Sequence, residues 1–187
     1  MYDVNYISKV AISYLEEAKK CYDNDCYIAS LIMYGAALEA ILLSLCFCYQ
    51  DQARRAIKQL SLQKIIKNRL KRSGKKRGML LELSFEDLIK IAEYLNWLPL
   101  KDRVDQDSLV EDYVRLVKEV RNLVHPARWL KPDPYFHEVH IFMKNSTRED
   151  IKKLCELLNE VVDVVRNLLV NKICENIQKQ IKTPQSL

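Results

Sequence analysis

Residues 26–49, CYIASLIMYGAALEAILLSLCFCY, carry one charge, Glu39, in an otherwise apolar run. The run is too long for a strand and, at about 1.5 Å per residue, long enough to cross a bilayer as a helix. The fold depends on whether it is a membrane span or the buried centre of a bundle. Glu39 sits mid-run, where an ionised carboxylate costs about 3 kcal/mol in lipid. The flanks hold Asp23, Asp25 and Asp51 where a span would have a basic anchor. No other segment reads as a second span. These features point to a central helix of a soluble bundle, covered on most sides by its neighbours. Gly35, Ala36, Ala37 and Ala40 would let one neighbour approach closely. Glu39 then needs a partner, either a tyrosine hydroxyl or basic group of the core, or a functional Arg or His.

The rest of the chain supplies those neighbours. Hydrophobic residues make up 49% of its 187 residues, enough for a real core, and with three glycines and five prolines long helices are expected. Residues 3–22 form an apolar stripe that Asp3 can cap, and 23–25 is a turn in which Asp25 can cap the central helix. A third helix is expected over 51–70. Ser84-Phe85-Glu86-Asp87 and Ser108-Leu109-Val110-Glu111 are capping-box patterns that open two more. An irregular stretch with Pro126, Pro132 and Pro134 follows. Residues 135–143 alternate like a strand, but one such run cannot make a sheet. His137 and His140 would face opposite sides of it, so they do not form a metal pair.

The last helix opens at Ser146 and Thr147, with Glu149 or Asp150 closing a capping box. Ile151, Leu154, Leu158, Val161, Val165 and Leu168 recur at helical steps, and Ile173, Ile177 and Ile181 extend the stripe. Unbroken, it would be about 50 Å long, against a radius of gyration of about 16 Å for such a domain. Its far end is expected to project or to pack on a second copy. The expected architecture is all-α: one domain over residues 1–187, an up-and-down bundle of five to six helices with a long C-terminal helix and a Pro-rich loop near 126–145.

Six cysteines fall mostly inside apolar helical patterns and no secretory signal opens the chain, so reduced, buried thiols in a cytoplasmic protein are expected. Cys46-Phe47-Cys48 has one intervening residue, fewer than common zinc pairs, and reads as core. No cofactor or metal is implied.

Charge is concentrated in residues 67–78, KNRLKRSGKKRG. Seven of these twelve are basic: Lys67, Arg69, Lys71, Arg72, Lys75, Lys76 and Arg77. The chain carries +5 and this segment +7, leaving −2 elsewhere. The segment reads as a loop or frayed helix end, either a phosphate-binding patch or solvated surface. It has no interleaved aromatics, so base stacking is not implied there.

Residues 116–132, LVKEVRNLVHPARWLKP, carry the remaining chemistry. Arg121 and His125 are four apart and share a helical face, with Asn122 close to it. Pro126 makes His125 the expected last residue of the helix. A guanidinium, an amide and an imidazole then meet at a helix end. The same groups can also simply satisfy helix-end carbonyls.

The early stretch YLEEAKKCYDNDCYIASLIMYGAALEAILL together with EVRNLVHP resembles the HEPN superfamily of all-helical bundles. Its Y-x-A-x-E pattern is echoed by Tyr34-Gly35-Ala36-Ala37-Leu38-Glu39. The resemblance covers most of residues 14–126 and, in outline, the long final helix. Many members are metal-independent RNases that act as dimers in toxin–antitoxin or phage-defence systems; others bind RNA or partner proteins without catalysis. On that resemblance Arg121 would contact the scissile phosphate, Asn122 would be the polar residue following it, and His125 would move the proton at the ribose 2′-hydroxyl or leaving oxygen. Glu39 would be a supporting carboxylate. Arg121 and His125 enclose three residues, fewer than in the superfamily's motif, which makes Lys118 the alternative basic residue. Two function classes follow. One is a protein that binds or cleaves RNA, as a homodimer or with an antitoxin-like partner and without a membrane. The other is a non-catalytic helical interaction module.

Overall fold

The apolar run folds as one helix, and the other elements are arranged around it. The computed structural model describes residues 4–73, 79–98, 118 and 144–182. Their regular structure is all helical: α1 (Val4–Asp23), α2 (Tyr27–Cys48), α3 (Gln50–Gln59), α4 (Gln63–Ser73), a 3-10 turn at Met79–Glu82, α5 (Phe85–Tyr94) and α6 (Arg148–Lys182). The expected helix over 108–125 lies outside the described residues except for Lys118, which is helical. The stretch at 126–143, with His137 and His140, also lies outside them.

α1 and α6 both pack along α2, and α3, α5 and the 3-10 turn also touch it. Leu31, Leu38, Ile41, Leu42 and Leu45 of α2 are fully buried, each contributing about 1.5–3 kcal/mol by leaving water. Among the described residues α2 is the one helix long and apolar enough to cross a membrane, and 61% of its most apolar window is buried inside the protein. Close approach of α1 is visible at Ala18, fully buried, whose carbonyl accepts the Ser30 hydroxyl at 2.9 Å. Glu39 is half-buried on α2 and is not an isolated carboxylate.

The region expected as one helix over 51–70 is two, α3 and α4, separated at Ser61. Three helices end in the same way: Asp25, Ser61 and Asn96 have φ of 60°, 56° and 54°. At each, the next amide reaches back five residues, Cys26 to Cys21, Leu62 to Ile57 and Trp97 to Ala92, at 2.8–3.0 Å. This is the Schellman arrangement, with the left-handed position filled by a residue other than glycine. Because α4 runs to Ser73, the first part of the basic segment, residues 67–73, is helix rather than loop.

Asp25 does not cap α2. Cys26 occupies that position without a side-chain cap, because Asp25 is engaged elsewhere. It accepts the Tyr27 hydroxyl at 2.6 Å and pairs with Arg148 at 2.9 Å, while the Arg148 guanidinium lies 5.5 Å from the Tyr27 ring centre. The Tyr27 hydrogen bond and the Arg148 charge hold the Asp25 carboxyl below its ordinary value. These contacts join the start of α6 to the α1–α2 turn.

The start of α6 is the expected capping box, built from Thr147 and Asp150: the Thr147 amide and hydroxyl donate to Asp150 at 2.9 and 2.7 Å, and the Asp150 amide returns to the hydroxyl at 3.2 Å. From there Ile151, Leu154, Cys155, Leu158, Val161, Val162, Val165 and Leu169 are buried. The helix has 35 residues, about 52 Å of rise. All six cysteines are free thiols. Cys46 and Cys155 are buried as expected, Cys21 and Cys48 are half-buried, and Cys26, at the turn before α2, and Cys174, on α6, are exposed.

Candidate functional site

The expected catalytic group, Arg121, Asn122 and His125, lies outside the described residues. Lys118 lies within them and is committed to an ion pair, its ammonium 2.5 Å from Glu86 of α5. Lys90 reaches the same carboxylate at 3.1 Å. Burial pushes the Glu86 carboxyl up, but the hydrogen bonds and charges of Lys118 and Lys90 outweigh it and hold it below its ordinary value. Glu86 also sits in the first turn of α5, where the helix dipole favours negative charge.

The basic residues divide by what their helices do with them. Arg69 turns inward, where its guanidinium pairs with the buried Asp87 and donates to the Glu82 carbonyl at 3.0 Å. Lys67 and Lys71 stay exposed, and Lys64 shares their stripe at helical spacing. Arg72 lies in α4, while Lys75, Lys76 and Arg77 lie outside the described residues.

α3 adds further cations beside this stretch. It buries Ala53, Ala56 and Ile57, which turns Arg54, Arg55 and Lys58 outward. Residues 50–78 hold eleven Lys and Arg against Asp51 alone, a net +10, which leaves −5 for the rest of the chain. Eight of these cations lie on the two consecutive helices α3 and α4.

Beside that surface the fold forms a groove of about 530 Å³ between α3 and the end of α5. Arg55 and Lys58 line it with the amides of Gln52 and Gln59, and Tyr94, half exposed, lies on the α5 side. An aromatic ring beside two cations offers a stacking surface for a planar base and neutralisation for its phosphate. Tyr94 follows Lys58 by thirty-six positions, so the pairing was not readable as a motif. The signal that was present is Arg54-Arg55-x-x-Lys58 on an amphipathic helix.

No family model, curated protein or solved structure matches this chain. The functional reading therefore rests on the residues themselves.

Proposed function

We propose that this helical protein binds single-stranded RNA on the surface formed by α3 and α4, with a base stacked on Tyr94 and the backbone held by Arg55 and Lys58. The observation that carries this reading is the groove in which those three side chains meet beside a segment of net +10. Lys64, Lys67 and Lys71 extend the phosphate track along α4. Affinity of this kind is dominated by counterion release and falls steeply with salt.

The test is fluorescence anisotropy of a labelled single-stranded RNA across a salt series. Tyr94→Ala is expected to weaken binding by about tenfold, the worth of one stacked base. Arg55→Glu combined with Lys58→Glu is expected to abolish it. Affinity that is unchanged in both variants overturns the reading.

Cleavage of the bound strand by Arg121, Asn122 and His125 is the second part of the proposal, supported by the chemistry of the motif. Guanidinium neutralises phosphate charge, and imidazole titrates near neutrality. Incubation of RNA with the protein in EDTA, beside His125→Ala, tests it. Cyclic-phosphate ends from the unaltered chain alone support cleavage, and equal background from both proteins rejects it.

A further inference from the structure

A second groove, of about 660 Å³, lies between α1 and α6. α1 ends where α6 begins, so the two helices flank α2 in opposite directions. The strap at one end is the Tyr22 hydroxyl, which donates to Glu156 at 2.5 Å. The floor is Tyr34 of α2.

The walls of this groove are anionic. Glu16 and Asp23 come from α1, and Glu156, Glu160 and Asp163 from α6; among the described residues the cations lining it are Lys19 and Arg166. Arg166 meets Asp163 at 3.6 Å across exposed side chains. Among the described residues Glu16, Asp23 and Glu160 have no ion-pair partner.

Tyr34 supplies an independent observation. It is 5% exposed and lines the groove, yet its hydroxyl makes no hydrogen bond among the described residues. Burial, then Cys155, Asp163 and Asp23 nearby, push its phenol up to about 12, so it stays neutral. The ring is packed away while the oxygen opens into the groove without a protein partner among the described residues, which leaves it free to bond a ligand there. Its oxygen can accept from an ammonium, and its ring attracts a cation.

The layout selects the kind of cation. Glu16 and Asp23 are seven residues apart on one helix, about 10 Å, and Glu160 lies on the other between Glu156 and Asp163. No group of three ligating side chains among the described residues could hold a metal ion. Two facing rows of separated carboxylates instead match several positive charges spaced along a thin chain. Leu15 and the rings of Tyr22 and Tyr34 offer apolar surface for the carbons between them.

We infer that the groove between α1 and α6 is a binding site for a linear aliphatic polyamine, its ammonium groups paired with Glu16, Asp23 and Glu160 and one of them hydrogen-bonded to Tyr34. The inference is independent of RNA binding, which uses other helices and the opposite charge.

The test is calorimetric titration of the nucleic-acid-free full chain with spermidine at physiological salt. Saturable binding of one equivalent is expected. Glu16→Gln with Glu160→Gln should weaken it about tenfold or more, as expected for loss of two charge-assisted contacts. Tyr34→Phe, which keeps the ring and removes the hydroxyl, should weaken it about fivefold. Glu17→Gln, on α1 outside the groove, should leave it unchanged, and circular dichroism verifies that each variant is folded. Absence of saturable heat at millimolar spermidine overturns the inference. So does equal weakening by Glu17→Gln, or displacement by magnesium at matched ionic strength, since either marks diffuse counterion attraction.

Discussion

The guanidinium of Arg69 in α4 is ion-paired with the carboxylate of Asp87, which also completes the capping box of α5 with Ser84. One Asp87 oxygen takes the Ser84 amide and hydroxyl, both at 2.8 Å, as well as Arg69. Asp87 is 3% exposed. A single buried carboxylate thus closes a helix start and ties two helices together.

Removing that carboxylate should be costly. Asp87→Ala leaves the Arg69 charge and the Ser84 amide without their partner, and a loss of about 2–4 kcal/mol is expected. Arg69→Met should cost less, about 1 kcal/mol, because the Arg69 side chain is 36% exposed and partly screened. Urea midpoints at constant slope check both values. Lys67→Gln should leave the midpoint unchanged while weakening RNA binding, which separates the structural cation from the surface one.

Ser61 holds a left-handed conformation that suits glycine. Ser61→Gly should stabilise the protein by about 0.5–1 kcal/mol, the relief of backbone strain less the added freedom of the unfolded chain. Ser61→Val should destabilise it by more than that, since a β-branched residue fits this region poorly. A thermal melt of the two variants beside the parent reads the sign directly.

The thiols should react in two classes. Burial pushes the Cys46 thiol up to about 12 and the Cys155 thiol up to about 11, so both are protonated and shielded at neutral pH. Cys26 and Cys174 are exposed. Timed alkylation of the folded protein followed by peptide mass spectrometry should label Cys26 and Cys174 first and reach Cys46 and Cys155 only on unfolding.

Glu86 gives the fold an acid-sensitive contact. Its folded carboxyl lies below the ordinary value of 4.5, so the folded state releases its proton more readily than the unfolded state. The resulting stability is present above 4.5 and is lost as pH falls through the lower folded value. Lys118→Met should therefore cost about 1 kcal/mol at neutral pH, discounted because the Glu86 side chain is 37% exposed. The difference from the parent should shrink in acid. A cost that is equal at pH 7 and in acid would assign Lys118 a packing role instead.

Local signals explain which helix boundaries were legible. The capping boxes at Ser84 and Thr147 are written in adjacent residues, and both form as read. The break at Ser61 carries neither glycine nor proline, so the pattern over 51–70 looks continuous; the break follows from burying Ala53, Ala56, Ile57, Leu62 and Ile66 in one core. Asp25 has the composition of a cap, but Arg148, more than a hundred positions later, recruits it. A local motif cannot report such a distant competitor.

By itself the sequence determined the all-helical class, the central place of the apolar helix, the long final helix and the concentration of charge near residues 67–78, because periodicity, capping and composition act over a few neighbouring residues. Tertiary structure decided which charges are spent and which are free. It turned Arg69 toward the buried Asp87 and left Lys67 and Lys71 outside. It set Tyr94 beside Arg55 and Lys58, and it lined Tyr34 with carboxylates from two helices. Those outcomes depend on which helix faces meet, and packing around α2 fixes that at separations no sequence window spans.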